Sequence, residues 1–333
     1  MVIKDILRRA EGLQKRIIFP EGNDERIIKA AKLTAEKNTI IPILVGDESV
    51  IGQKANELSV KLDNFEIIEP STSSKLEQYV SLYSELSKIP ERTSKQIIQQ
   101  SIFYSAMALK SGDADGMIGG LVYTSGDFIA VCNGVIGLRE EIKVPSSFFI
   151  MEIPGYEGGE NGFLLYADAS VNPNPTAEEL ADIAISTGYS AKMLLGWEPR
   201  IAMLSFSTMG SADHPDVIKI VDAVKLAQKK VKGMKIEGEF QADTALVLST
   251  AKRKIKADDI GDVAGRANIL IFPDLDAGNI AYKLTQILAT ANAYGPILQG
   301  FAKPLSDLSR GATVEDIVGV IAIVSVIADR WDA

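Results

Sequence analysis

Residues 17–45 read IIFPEGNDERIIKAAKLTAEKNTIIPILV. A β-branched run, Ile17–Phe19, precedes a helical pattern through Asp24–Glu36 and a second apolar run, Ile40–Val45, that closes at Gly46-Asp47. Two short strands flanking an amphipathic helix form a βαβ unit, which predicts parallel strands with helices packed on both faces. Outward from there, Ile67–Ile68 is a weak third strand and Ser74–Lys110 a long polar helical stretch. Gly116–Ile118 is a further strand, running into Gly119-Gly120. In such sheets ligands collect at the carboxyl ends of the strands.

A second block starts near Ser146. Phe148–Met151 and Phe163–Tyr166 read as a strand pair joined by the Gly-rich turn Gly155–Gly162. Thr176 and Glu179 have the spacing of a capping box, opening a helix to Leu194. Ile201–Phe206, Ala245–Leu248 and Ile269–Phe272 read as strands, and Ile297–Leu298 precedes the last loop and helix. With no repeat and no Gly/Ser linker, the chain reads as two α/β domains meeting across a cleft with more than one crossover. Its 333 residues are too many for one ordinary core.

A net charge of −9 argues against the basic stripe that nucleic acid requires. A local arginine cluster can still hold a small anion. Cys132 is the only cysteine, so no intrachain disulfide forms. His214 is the only histidine, which argues against a His-rich metal site. Val314–Ala328 is the most apolar segment, but Glu315, Asp316, Asp329 and Arg330 bracket it as a buried core helix. The amphipathic MVIKDILRRAEGLQKR at the start carries Asp5 and Glu11, unlike an acidic-poor transit peptide. These features predict a cytoplasmic globular protein.

Four segments can carry chemistry. Pro296–Asp316, PILQGFAKPLSDLSRGATVED, crowds Gln299, Lys303, Asp307, Ser309, Arg310 and Asp316 in front of a very apolar helix. It offers a base, a hydroxyl, a guanidinium and an ammonium. Equally, Thr313 and Asp316 stand at N-cap and N3 spacing, so Asp316 can be a cap alone. Ser205–Pro215, SFSTMGSADHP, lies between strand and helix. Gly210 and the hydroxyls of Ser207, Thr208 and Ser211 fit either an anion nest or an ordinary turn. His214 beside Pro215 reads as a solvent-facing cap. In Ile271–Asn279, IFPDLDAGN, a strand ends at Pro273-Asp274 and a loop with Gly278-Asn279 leads into a helix. In Gly119–Asp127, GGLVYTSGD, two glycines allow close backbone approach to a ligand beside Thr124 and Ser125. Cys132 nearby reads as a small buried residue.

The stretches FPDLDAGN (Phe272–Asn279), GPILQGFAKPLSDLSR (Gly295–Arg310) and Glu315-Asp316 resemble the phosphate acetyltransferases. LYADASVNPNPTAEELADIA within Phe163–Ala184 and LSFSTMGSA within Met203–Ala212 match that family in the same order. Val135–Arg139, VIGLR, is similar to the related phosphate butyryltransferases. The resemblance implies two three-layer α/β domains around a cleft, with isocitrate/isopropylmalate dehydrogenase-like architecture, as a homodimer. It implies that residues 1–145 with 297–333 form one domain and 146–296 the other. It implies reversible acetyl transfer between acetyl phosphate and coenzyme A by direct thiol attack, with inorganic phosphate released, no organic cofactor and no catalytic metal.

The family's catalytic Ser-Arg pair falls on Ser309 and Arg310, and its catalytic Asp on Asp316. Substrate-binding positions expected from the matching segments are Ser207, Thr208, Gly210, Ser211, Asp274, Asn279, Gln299, Lys303, Thr124 and Ser125. The coenzyme A thiol, with an ordinary pKa of about 8.5, must lose its proton as it attacks, whereas a free Asp titrates near 3.9. Asp316 therefore needs partial burial, or it takes the proton only as the transition state forms. Ser309 can orient the thiol or the base, and Arg310 can stabilise the oxyanion and departing phosphate. Four positions depart from the family: Met209 replaces a basic residue, Asp276 an asparagine, and Ser87 and Ala130 two phosphate-site arginines. Lys88, Arg92 or Arg139 are the cations that can substitute. Competing readings are transfer of propionyl or butyryl groups, a weakly active or non-catalytic coenzyme A-binding paralogue, and a metal-dependent hydroxyacid dehydrogenase of the same architecture.

Overall fold

The computed structural model describes residues 2–331. Two compact units divide the chain, Met1–Leu138 with Phe301–Ala333, and Arg139–Gly300. The first unit carries strands β1 (Lys15–Phe19), β2 (Ile40–Val45), β3 (Glu66–Ile68) and β4 (Gly116–Gly119). The second holds β5 (Ser146–Glu152), β6 (Phe163–Ala167), β7 (Arg200–Leu204), β8 (Lys235–Phe240), β9 (Ile269–Ile271) and β10 (Asn292–Gln299). A last strand, β11 (Leu305–Asp307), returns to the first unit.

In the first unit the order is β11-β4-β1-β2-β3, and every pairing is parallel. From β1 the chain builds outward to β3, then returns to place β4 on the other side of β1. That reversal sets a switch point at the carboxyl ends of β1 and β4, the position where such sheets take ligands. Its helices are α1 (Val2–Ala10), α2 (Glu25–Ala35), α3 (Glu48–Glu57), α4 (Leu76–Ser87), α5 (Glu91–Ile98), α6 (Ser101–Lys110) and α7 (Ser125–Val135). The closing helix, α14 (Val314–Asp329), lies so close on β4 that a side chain at Gly116 would meet Val324 at 2.6 Å. It is capped by a full capping box of Thr313 and Asp316, as the spacing predicts.

The second sheet has the order β10-β5-β6-β9-β7-β8; β10, β5 and β6 pair antiparallel and the rest parallel. Its helices are the short turn α8 (Gly158–Asn161), α9 (Ala177–Ser190), α10 (Pro215–Lys230), α11 (Ala242–Leu246), α12 (Leu248–Lys254) and α13 (Leu275–Leu288). Phe149, Met151, Leu164, Tyr166, Phe240 and Leu270 are among the residues of its core. Thr176 and Glu179 close the expected capping box on α9.

Several readings change. Ala245–Leu248 is not a strand but the junction of α11 and α12. The missed strands are two: β11, and β8, an edge strand whose Lys-Ile-Glu-Gly-Glu-Phe sequence alternates charge with apolar residues and hides its β signal. The stretch 74–110 is three helices, broken where Lys88 adopts φ +62° before Pro90 and again at Gln99-Gln100. Gly278-Asn279 lies inside α13, which starts at the Asp274 cap. Gly278 is required there because a Cβ would sit 2.2 Å from the Asp168 carbonyl oxygen.

Candidate active site

The sequence-predicted residues fall into two groups, one in each unit. In the first unit all but Lys303 follow the carboxyl ends of β4 and β11, the two strands on one side of β1. Glu21, two residues beyond β1, is buried and accepts four consecutive backbone N–H groups, from Gly120, Leu121, Val122 and Tyr123, at 2.7–3.0 Å. The Gly119–Asp127 loop is therefore nested around an internal carboxylate. Thr124 caps α7, accepting the Asp127 N–H at 3.1 Å. Ser125 donates its hydroxyl to Asp307 at 2.5 Å.

Asp307 ends β11 directly opposite Gly119. It is followed by an exposed turn holding Ser309 and Arg310. Arg26 grips Asp24 through Nη2 at 2.9 Å and donates from Nη1 to the Arg310 carbonyl at 2.8 Å, so it holds the backbone of that turn. The Arg310 guanidinium itself makes no hydrogen bond or ion pair among the described residues. Asp316 is exposed, and its Oδ2 accepts the Thr313 N–H at 2.9 Å and hydroxyl at 2.8 Å. Lys303 precedes β11, at the opposite end of that strand from Ser309.

In the second unit Ser207, Thr208, Gly210 and Ser211 follow β7. Their donors are engaged within the protein: Gly210 N–H and Ser207 Oγ both reach buried Glu239, at 2.6 and 2.9 Å. Thr208 Oγ1 accepts the Gln241 N–H at 3.0 Å, and Ser211 Oγ accepts that of Thr208 at 3.0 Å. Asp274 caps α13, accepting from Ala277 at 2.8 Å. Asn279 donates to the Ala169 carbonyl at 3.0 Å and accepts from Lys283 at 2.8 Å. Gln299 is a buried amide fully used by Ser190, Ser146 and Thr187 at 2.8–3.0 Å. His214 accepts the Asp216 N–H at 3.2 Å as a cap. Cys132 is fully buried, and burial followed by the charge of Asp307 pushes its thiol far up, so it is no nucleophile.

Sequence reasoning missed the buried acids that shape these loops. Glu21, Glu239 and Asp168 each stand at or near a strand end and gather neighbouring donors; Asp168 takes the N–H groups of Ser147, Ser170, Val171 and Asn172 at 2.9–3.3 Å. An Asp or Glu before a glycine-rich turn is the only sequence signal, and it is weak. Glu21→Ala leaves four clustered N–H groups without their acceptor, at about 1–3 kcal/mol for each one kept from water. We expect a loss of at least about 3 kcal/mol in a denaturant titration, against under about 0.5 kcal/mol for an exposed control such as Glu48→Ala.

Neither Ser87 nor Ala130 stands beside a new cation contact among the described residues. Ser87 closes α4 and spends its hydroxyl on the Tyr83 carbonyl at 2.6 Å, and Ala130 is exposed on α7. Lys88 and Arg92 are exposed nearby in sequence.

Residues 1–325 match the phosphate acetyl/butaryl transferase family model. A phosphate acetyltransferase of Clostridium acetobutylicum is 45% identical over 332 residues, with 99% of each chain covered. The crystal structure of a phosphotransacetylase from Streptococcus pyogenes superposes with a TM-score of 0.92 at 35% identity, again covering 99% of both chains. A putative 4-hydroxythreonine-4-phosphate dehydrogenase from Salmonella typhimurium, at 11% identity, TM-score 0.57 and coverage of 94% of this chain and 99% of its own, shares the dehydrogenase-like fold alone. With the family match running through both units and the curated relative aligned end to end, the chain belongs to the phosphate acetyl/butaryl transferase family, a family of acyltransferases.

Proposed function

We propose that this protein transfers acetyl reversibly between acetyl phosphate and coenzyme A by direct attack of the thiol in a ternary complex. The observation that carries the reading is the Ser309-Arg310 turn. It stands at the carboxyl end of β11 with its backbone held by Arg26 and its guanidinium unpaired among the described residues. An unpaired guanidinium on a turn whose backbone is held is suited to the oxyanion and the departing phosphate. Ser309 orients the thiol. Asp316, being exposed, accepts the thiol proton as the transition state forms rather than through burial. The thiol sulfur bonds the acetyl carbon, the carbon–oxygen bond to phosphate breaks, and phosphate leaves. The first-unit residues Thr124, Ser125 and Lys303 and the second-unit residues Ser207, Thr208, Gly210, Ser211, Asp274, Asn279 and Gln299 are the substrate-binding proposals. The internal bonds of Gln299, Ser207, Thr208, Gly210, Ser211 and Ser125 make these residues supports of the binding loops rather than direct donors.

Coenzyme A is a substrate, and the reaction needs neither organic cofactor nor metal. Among the described residues no group of three His, Cys, Asp or Glu could hold a metal ion, and no helix is long and apolar enough to cross a membrane. We place the protein in the cytoplasm, where acyl phosphates and coenzyme A meet. We also propose a homodimer. On α13, Ile280, Leu284, Ile287 and Leu288 form an apolar stripe at helical spacing, with Leu288 79% exposed.

The test is thioester formation from coenzyme A with acetyl, propionyl and butyryl phosphates. The highest kcat/KM is expected with acetyl; a maximum at butyryl would assign the longer-chain activity. Ala130→Arg restores a guanidinium where the family carries one. A shielded charged hydrogen bond contributes about 1.5–3 kcal/mol, and 1.4 kcal/mol is one decade. The variant is therefore expected to lower the acetyl phosphate KM about tenfold and to leave the coenzyme A KM within about twofold. An unchanged acetyl phosphate KM would mean that another cation already fills that role.

A further inference from the structure

Asp307 differs from the other buried acids at these strand ends. Glu21, Asp168 and Glu239 each gather several donors. Asp307 is 2% exposed, yet its Oδ1 has no hydrogen-bond partner among the described residues. Space for that oxygen is made by Gly120 at φ +107°, where a Cβ would lie 1.9 Å from it. The nearby Leu308 N–H is spent on the Gly119 carbonyl at 2.7 Å. Oδ2 accepts the Ser125 hydroxyl at 2.5 Å, and the Leu308 backbone N–H also lies against the carboxylate. Facing Asp307 are Glu21 from the loop after β1 and Cys132 from α7; neither brings a positive charge. A buried, half-satisfied acid is costly, and packing alone does not call for one.

We propose that Asp307 is a positioning residue for acyl transfer: its carboxylate ties the first turn of α7, through Ser125, to the turn carrying Ser309 and Arg310. The tie is firm when Asp307 is ionised, because the hydroxyl then donates to a full charge. Burial, partly offset by the Ser125 hydroxyl and the Leu308 N–H and reinforced by the charge of Glu21, raises the carboxyl to about 7, so the tie strengthens and weakens across neutral pH. In the unfolded chain the same group titrates near 3.8. The native state thus holds the proton more tightly, and Asp307 lowers stability progressively as pH rises from about 4 to about 7.

The activity side of this assignment rests on the acyl-transfer reading; the stability side does not. The experiment compares the full chain with its Asp307→Asn and Ser125→Ala variants, by melting from pH 5 to 8.5 and by kcat over the same range. Asn keeps an acceptor for Ser125 but cannot ionise. Relative to wild type, Asp307→Asn is expected to gain at least about 3 °C in Tm between pH 5 and pH 8. Its kcat at pH 8 should fall at least about tenfold, with loss of the limb near pH 7 that the wild type is expected to show. Ser125→Ala should move that limb to higher pH, because the lost hydrogen bond was holding it down. The assignment is overturned if Asp307→Asn keeps the limb and a kcat within twofold, or if it melts lower at pH 8 than at pH 5 relative to wild type. A wild type forming no thioester at all would refute the acyl-transfer reading itself, and Asp307's part in it.

Discussion

Arg310→Ala should lower kcat by about 100- to 1,000-fold while changing the Kd for coenzyme A by less than about threefold. Loss of a donor aimed at developing charge costs about 2.7–4 kcal/mol in the transition state. Arg310 is exposed, and its backbone is held by Arg26 at 2.8 Å whatever its side chain. Truncation therefore removes a charge without collapsing the turn. The ground-state thioester and thiol carry little charge at the reacting oxygen, so binding is expected to survive. Calorimetric titration of coenzyme A alongside steady-state turnover separates the two. Equal losses in both would make Arg310 a binding group and not a stabiliser of the transition state.

Asp316→Asn is the second large effect. Removing a general base costs about 100- to 10,000-fold. Against that stands the capping role, since Asp316 Oδ2 already takes the Thr313 N–H and hydroxyl at 2.9 and 2.8 Å. Asparagine retains an acceptor at N3 and loses only the charge near the helix start, worth about 0.3–1 kcal/mol. A folded variant with a Tm within a few degrees of wild type and turnover down at least about 100-fold is therefore expected. Near-normal turnover would leave Asp316 as a cap only.

Much of the fold was legible because its signals are local. The run from Ile17 to Val45 carries strand, cap, helix and strand in order, and the structure places β1, α2 and β2 there in parallel register. Thr176 with Glu179 and Thr313 with Asp316 announce their helices by side-chain chemistry alone. The missed elements lacked such signals. β8 is an edge strand with charges at alternate positions, and β11 is three residues long, held by pairing to β4 instead of by its own propensity.

The candidate site was half legible for a related reason. Ser309, Arg310 and Asp316 stand in a polar stretch that no core needs. Glu21 and Asp307 meet across 99 and 182 residues with the Gly120 and Ser125 groups they bind, and nothing in one strand end names its partner. The glycines of GGLVYTSGD and STMGS do mark backbone nests, but internal carboxylates occupy their donors. From sequence, a nest filled from within looks the same as one left open for a ligand.

Direct thiol attack in a ternary complex is the central claim, and it has a kinetic signature. Cys132, the only cysteine, is sealed in the core, so a thioester relay through this chain has no accessible sulfur. The most direct test is an initial-velocity matrix of acetyl phosphate against coenzyme A, run beside exchange of labelled phosphate into acetyl phosphate without coenzyme A. Intersecting double-reciprocal lines and no exchange are predicted. Parallel lines with rapid exchange would show an acyl-enzyme and contradict the mechanism.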